Sequence, residues 1–187
     1  MRRGTRSPAW RAALLLPGLL APGAAEAGRV TVDCRRAADG RYEISGSFEV
    51  AASSRAVWAV LTDYDRIRSF VPDMRKSRVR RRLKDGVLLE QEAAGRFFLF
   101  TRSVRVLLDV RERPFETLEF RDTLLEDFEH YEGSWTLTDG AEALTVAYRL
   151  SVEPALNAPQ ALTRAALRSN ARALLDRIRA EILRRGG

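Results

Sequence analysis

The chain has 187 residues, 45% apolar and 30% charged, which suits one globular domain burying roughly 70% of its unfolded surface and excludes a disordered polar tail. The formal net charge is +7, and only Lys76 and Lys84 among the 32 basic residues are lysines, so arginine carries the basicity. A single cysteine, Cys34, excludes an internal disulfide and offers no metal-ligand spacing; it reads as a small apolar strand residue.

Residues 1–27 differ from the rest. The segment MRRGTRSPAWR carries four arginines and no acid, AALLLPGLLA is a ten-residue apolar run, and Ala25-Glu26-Ala27 is a small-x-small cleavage site. In that order they describe a secretory signal peptide, with a mature domain spanning 28–187. The apolar run is broken by Pro17 and falls far short of the ~20 residues of a spanning helix. Removing four Arg and Glu26 lowers the net charge from +7 to +4. The expected location is the periplasm or the medium.

Beyond Gly28 the period is mostly two. VTVDC and RYEISGSFEV flank Asp39-Gly40, a hairpin signal, so two antiparallel strands open the domain. Ser53 or Ser54 can then cap a helix whose Val57, Trp58, Val60 and Leu61 fall at helical spacing; Asp63 and Asp65 break it, and Pro72 stops a second short helix. Six further strands are predicted over 75–83, 87–94, 97–110, 117–124, 131–137 and 143–152, with turns at Asp85-Gly86, Gly95, Arg113-Pro114, Glu126-Asp127 and Asp139-Gly140. Phe98, Phe100, Val104, Val106, Leu108 and Val110 share one strand face, as do Leu144, Val146, Tyr148, Leu150 and Val152. Pro159 opens a long last helix. Its stripe of Leu162, Ala166, Leu167, Ala171, Leu174, Leu175, Ile178 and Ile182 lies opposite Arg164, Arg168, Arg172 and Arg179. The predicted class is α+β, a curved antiparallel sheet of seven to eight strands around that helix.

The order of elements, together with VWAVLTDYDRIRSFVPDM, EGSWTL and LTVAYRLSVEP, resembles the START / polyketide cyclase-dehydrase superfamily with its helix-grip fold, and most closely its coenzyme Q-binding branch. The resemblance implies an apolar cavity between sheet and long helix that holds a hydrophobic small molecule, with the two short helices plugging one end. Its expected lining is Phe70, Phe98, Phe100, Tyr131, Trp135, Tyr148, Leu167, Ala171, Leu175 and Ile178. Small residues on the helix leave volume, so a pocket of roughly 300–1,000 Å³ is expected there.

Chemistry has few parts to work with. One histidine, one cysteine and no Gly-x-Ser-x-Gly, His-x-x-x-His or Cys-x-x-Cys spacing leave nucleophilic, triad and metal catalysis without their minimum residues. His130 in FEHYEGSW could serve as an acid or base in an aromatase/cyclase-like enzyme, but alternation puts it opposite Tyr131 and Trp135, on a solvated face. The acids between Asp109 and Glu153 read as an exposed acidic face. In the run RKSRVRRRLK, Arg80, Arg81 and Arg82 could dock anionic lipid headgroups, or could simply make a solvated strand face paired with acidic neighbours. The expected protein is thus a monomeric carrier of a lipid, quinone or polyketide-like ligand, with no cofactor, metal or nucleic acid; an interaction module with a filled cavity is the remaining alternative. If the leader is cleaved after Ala27, N-terminal sequencing of protein from the periplasmic fraction will read Gly28 first, whereas an intact Met1 in the cytosol would contradict export.

Overall fold

The computed structural model describes residues 29–97, 100–155 and 158–186, and the side chains of 95–102 are not among them. The leader segment read from residues 1–27 lies outside the described residues. Eight strands form one antiparallel sheet: β1 (Thr31–Arg36), β2 (Tyr42–Val50), β3 (Met74–Leu83), β4 (Gly86–Phe97), β5 (Phe100–Arg113), β6 (Thr117–Asp122), β7 (Phe128–Asp139) and β8 (Leu144–Pro154). Helix α1 (Ser54–Leu61) and a 3₁₀ helix (Tyr64–Ser69) join β2 to β3, and α2 (Gln160–Gly186) follows β8. The strand order β1-β2-β8-β7-β6-β5-β4-β3 leaves β1 and β3 at the edges. This is the helix-grip arrangement expected from the sequence.

Turn chemistry explains the hairpins. Between β1 and β2 the Gly40 N–H donates to Ala37, Gly40 takes φ 95°, and Asp39 accepts from the Arg41 N–H, so the Asp-Gly pair works as a local clamp. Between β6 and β7 the buried Asp122 accepts the backbone N–H groups of Leu107, Leu124 and Leu125, which holds the turn with Leu125 at φ 52°. Asp122 therefore leaves the exposed acidic face that its sequence neighbourhood suggested. The predicted turn at Gly95 also moves: β4 continues to Phe97, which pairs with Phe100, and Gly95 pairs in-strand with Arg102. A glycine alone does not end a strand whose partner continues the ladder.

Helix α1 starts where Ser53 Oγ accepts the Ala56 N–H at 3.2 Å, and it buries Val57, Trp58, Val60 and Leu61. It closes one end of the sheet's concave face. On that face Ile44, Phe48, Val87, Leu89, Val110, Val146 and Val152 are almost wholly buried. Helix α2 adds Ala171, Leu175, Ile178 and Ile182. Its buried face follows the predicted stripe through Ala171, Leu175, Ile178 and Ile182 and departs from it at the first turn, where Thr163 is covered and donates to the Pro159 carbonyl while Leu162 is 38% exposed. Arg168 and Arg179, expected on the wet side, reach across to the carbonyls of Val32 and Glu49.

Two contacts fix α2. Gly46 of β2 lies so close beneath Leu175 that a Cβ there would approach Leu175 Cδ2 to 2.7 Å. At the other end the buried Glu181 accepts from Arg184 and Arg185, and Arg185 reaches Asp63 at 2.8 Å, tying the helix to the start of the 3₁₀ turn. The guanidinium of Arg184, then that of Arg185, holds the Glu181 carboxyl down at about 2, against an ordinary 4.5. A carboxyl depressed by folding stabilises above its unfolded value and loses that contribution as pH falls through the folded one. Glu181→Gln is accordingly expected to cost about 1–3 kcal/mol in urea unfolding at pH 7, and the gap between wild type and variant should shrink between pH 4.5 and 2; a gap independent of pH would refute the charge-based clasp.

Candidate functional site

The concave face and α2 do not touch everywhere. Because α2 packs chiefly over β1 and β2, the far half of the sheet curves around a space bounded by β4 to β8, α1 and the start of the 3₁₀ helix. Its walls include Leu89, Val110, Leu118, Phe120, Tyr131, Trp135 and Tyr148 from the sheet, Leu61 and Tyr64 from the short helices, and Leu174 from α2. The volume of this partly open space is about 80 Å³, well below the 300–1,000 Å³ expected from the sequence. The expectation counted small residues on the helix; the aromatic rings of the sheet reach inward and fill what those residues leave.

Those rings form one connected set. Tyr131 lies 4.8 Å from Phe128 and 5.9 Å from Phe120, and Tyr148 lies 4.6 Å from Trp135, centroid to centroid. Each such pair contributes about 0.5–1.5 kcal/mol beyond area burial, so the rings hold together as one apolar wall. Burial, and secondarily the charge of Asp122, pushes the Tyr131 hydroxyl up to about 12. Burial and its Tyr131 neighbour raise Tyr148 well above the ordinary phenol value. Both stay protonated donors at neutral pH. Tyr64 is likewise raised by burial and by its 2.7 Å hydrogen bond to Glu112. No Arg, Lys, Asp, Glu or His lines this space among the described residues.

Of the residues singled out by sequence, Tyr131, Trp135 and Tyr148 come together around this space. Ala171, Leu175 and Ile178 are buried in the core, with Leu175 seated on Gly46, and Leu167 packs half-buried against that core. Phe70 sits by the end of α2, with the Arg185 guanidinium 5.4 Å from its ring centre. Phe98 lies outside the described residues, and Phe100 only begins β5, its side chain being outside them as well. His130 is on the face opposite Tyr131 and Trp135, as alternation required, but its side chain is only 18% exposed and Nε2 lies 3.5 Å from Glu132, so it is tucked against the sheet rather than solvated. Sequence reasoning passed over Leu174, Phe120 and Leu118 as site residues. The alternation Leu118, Phe120, Asp122, all buried, carried the signal for the latter two.

Two outer features complete the surface. A larger open depression of about 450 Å³ crosses the convex face, floored by strand backbone and rimmed by Asp109, Arg111, Glu119, Arg121, Glu132 and Arg149. Its charges suit water, not an apolar ligand. On the edge strand β3, Lys76 and Arg80 both pair with Glu90, whereas Arg81 and Arg82 are exposed. The irregularities at Met74/Lys76 and Val79/Arg81, with this run of charge, make the edge a poor template for another strand. Leu83 ends β3 and Phe115 sits in the β5–β6 turn, each 39% exposed; the Glu112 N–H of β5 donates to the Asp85 carbonyl of the β3–β4 turn, and Arg55 lies 5.1 Å from the Phe115 ring centre.

Residues 50–179 match the family model described as polyketide cyclase / dehydrase and lipid transport. No curated protein matches the sequence. Among solved structures, the STAR-related lipid transfer protein of Xanthomonas axonopodis superposes with a TM-score of 0.67 at 17% identity, over 87% of this chain and 97% of that one. The Thermus thermophilus protein TTHA0849 gives 0.66 at 19% identity, over 78% and 99%. The Zhui aromatase/cyclase of Streptomyces sp. R1128 gives 0.64 at 16% identity, over 78% and 95%. At these identities the likeness is one of fold.

Proposed function

The chain belongs to the polyketide cyclase / dehydrase and lipid transport family, and from that premise we propose that it binds and carries a hydrophobic small molecule between the sheet and α2, as an exported protein. The observation that supports the reading is the wall of the inner space: aromatic and aliphatic side chains with no ionised group among the described residues. Structural neighbours bear names of both lipid-transfer proteins and aromatase/cyclases. Carriage is favoured over catalysis because His130 lies on the other face of β7, leaving neutral tyrosines as the acid-base groups described in the cavity.

An interior of about 80 Å³ holds little more than two or three waters at ~30 Å³ each, so a ligand enters by displacing side chains. Helix α2 is built for that. From Ala171 onward it carries Ala171, Leu175, Ile178 and Ile182 and the Glu181 clasp, while before Ala171 only Thr163 is buried. Leu174, at the junction, is the one α2 side chain described in the lining. Folded wild type should therefore take up N-phenylnaphthylamine with a rise in fluorescence, and Leu174→Trp should reduce uptake at least tenfold while its circular dichroism stays native. Overpacking can itself cost about 1–3 kcal/mol, which the dichroism checks. Absence of uptake by wild type, or equal uptake by a folded Leu174→Trp, would refute the reading.

Loading from a bilayer fits the end of the molecule where Arg81 and Arg82 adjoin the exposed Leu83 and Phe115. Each arginine near an anionic surface is worth about 1 kcal/mol at low salt. The Arg81→Gln/Arg82→Gln double variant should co-sediment less with phosphatidylserine vesicles at low salt, lose that difference at high salt, and unfold within about 0.5 kcal/mol of wild type. Equal sedimentation would return these arginines to the role of edge protection.

A further inference from the structure

The convex face of the sheet, on the side away from α2 and the inner space, carries charge in an ordered pattern. Strand register sets the outward residues of β5 to β8 in two rows about 7 Å apart. One row runs Arg111, Glu119, Ser134, Arg149 and the other Asp109, Arg121, Glu132, Ser151, with Ser45 and Glu43 of β2 continuing them in turn. The rows border the open depression of about 450 Å³. Three of its acids are engaged within the chain: Glu43 accepts from Ser151 Oγ at 2.8 Å, Glu119 meets Arg113 at 3.6 Å, and Glu132 lies 3.5 Å from His130 Nε2. Arg111, Arg121, Arg149 and Asp109 have no hydrogen-bond or ion-pair partner among the described residues. The face thus presents three free guanidiniums and one free carboxylate at fixed positions.

We propose that this face is a contact between two copies of the chain, related by a twofold axis that runs across the strands between the two rows. Such an axis lays each strand against the same strand of the second copy with the rows exchanged. Arg111 then faces Asp109 of the second copy, Arg121 faces its Glu119, and Arg149 faces its Ser151 with Glu132 and Glu43 on either side. One operation gives every unpartnered charge an opposite charge, and no two like charges stand directly opposite. A twofold along the strands, centred on the depression, sets Arg111 against Arg149 instead. The exchange also keeps the strands of the two copies aligned, as packed sheets prefer, and an arginine meeting a carboxylate spans the ~10 Å between stacked sheets. The patch is only four strands wide at ~4.8 Å spacing, so the contact is small, below ~1,200 Å² in total, and the dimer is weak and salt-sensitive. It replaces the monomer expected from the sequence, in which the rows are invisible until strand register is known. It leaves α2 and the short helices uncovered, and it stands whether or not the inner space holds a ligand.

Sedimentation velocity over a concentration series of about 10 to 300 µM protein tests the contact. At ~20 mM salt the weight-average mass should climb with concentration toward that of a dimer, and at ~1 M, where the screening length is about 3 Å, it should return to that of the monomer. Arg121→Glu and Glu119→Arg each set like charges opposite one another, so each alone should weaken self-association about tenfold or more while circular dichroism stays native. Mixed one to one, the two variants should dimerise again, because each then offers the charge that the other lacks. Should either variant misfold, Arg111→Ala/Arg149→Ala removes two free guanidiniums without adding charge and should weaken the dimer by about the same factor. A wild type that stays monomeric throughout the low-salt series, a dimer indifferent to salt, a folded single or double variant that dimerises as well as wild type, or a mixture of folded variants that fails to recover would each overturn the proposal.

Discussion

The seat of Leu175 on Gly46 governs the rest of the molecule. A side chain at position 46 would hold the helix off β2; without one, α2 drops onto β1 and β2 and brings Ile178 and Ile182 into the core. A helix about 10 Å wide cannot also cover the far half of an eight-stranded curved sheet. The uncovered half is where the inner space lies, and α1 with the 3₁₀ helix can only stopper its end. One missing Cβ thus gives Leu175 its seat against β2, on the side of the sheet away from the hollow. The clasp of Glu181, Arg185 and Asp63 then ties the C-terminal end of the helix to the start of the 3₁₀ helix.

The same asymmetry divides the molecule into a firm and a yielding part. Around β1, β2 and the second half of α2, aliphatic groups interlock with almost no exposure. Around β6 to β8 the interior is instead filled by the rings of Phe120, Phe128, Tyr131, Trp135 and Tyr148, and such rings can turn about χ1 and χ2 without breaking a backbone ladder. Space that is filled by movable groups rather than by fixed ones is compatible with ligand exchange in a way that its resting volume does not reveal.

Much of the architecture was legible in the sequence because it is set by local patterns. Alternation in Leu144, Val146, Tyr148, Leu150 and Val152, the Ser53 cap and the Asp39-Gly40 turn each report their own neighbourhood, and all eight strands and the order of the helices follow. What escaped depends on distances across the fold. At the first turn of α2 the fold covers Thr163 and exposes Leu162, against the order of their hydrophobicity. Tyr131, Trp135 and Tyr148 could be placed on the correct face, but how far their rings reach, and hence the small volume, is a property of sheet curvature. Leu174 and Leu175 are adjacent and chemically identical, and one step around the helix makes the first a cavity wall and the second a core residue.

Cys34 acquires a meaning from its position under this helix. The thiol is buried on β1, beside the first half of α2, with Arg164 and Arg168 near enough to act on it and burial pushing its ionisation up. A lone cysteine at the surface would be open to mixed disulfides with whatever thiols it met; sealed there, it is chemically silent. The seal is only as durable as the docking of those first helical turns. Each departure of the helix from β1 would expose sulfur for as long as it lasts, so the rate at which a thiol reagent modifies Cys34 is a clock for the breathing of the grip, wound into the native sequence without any added label.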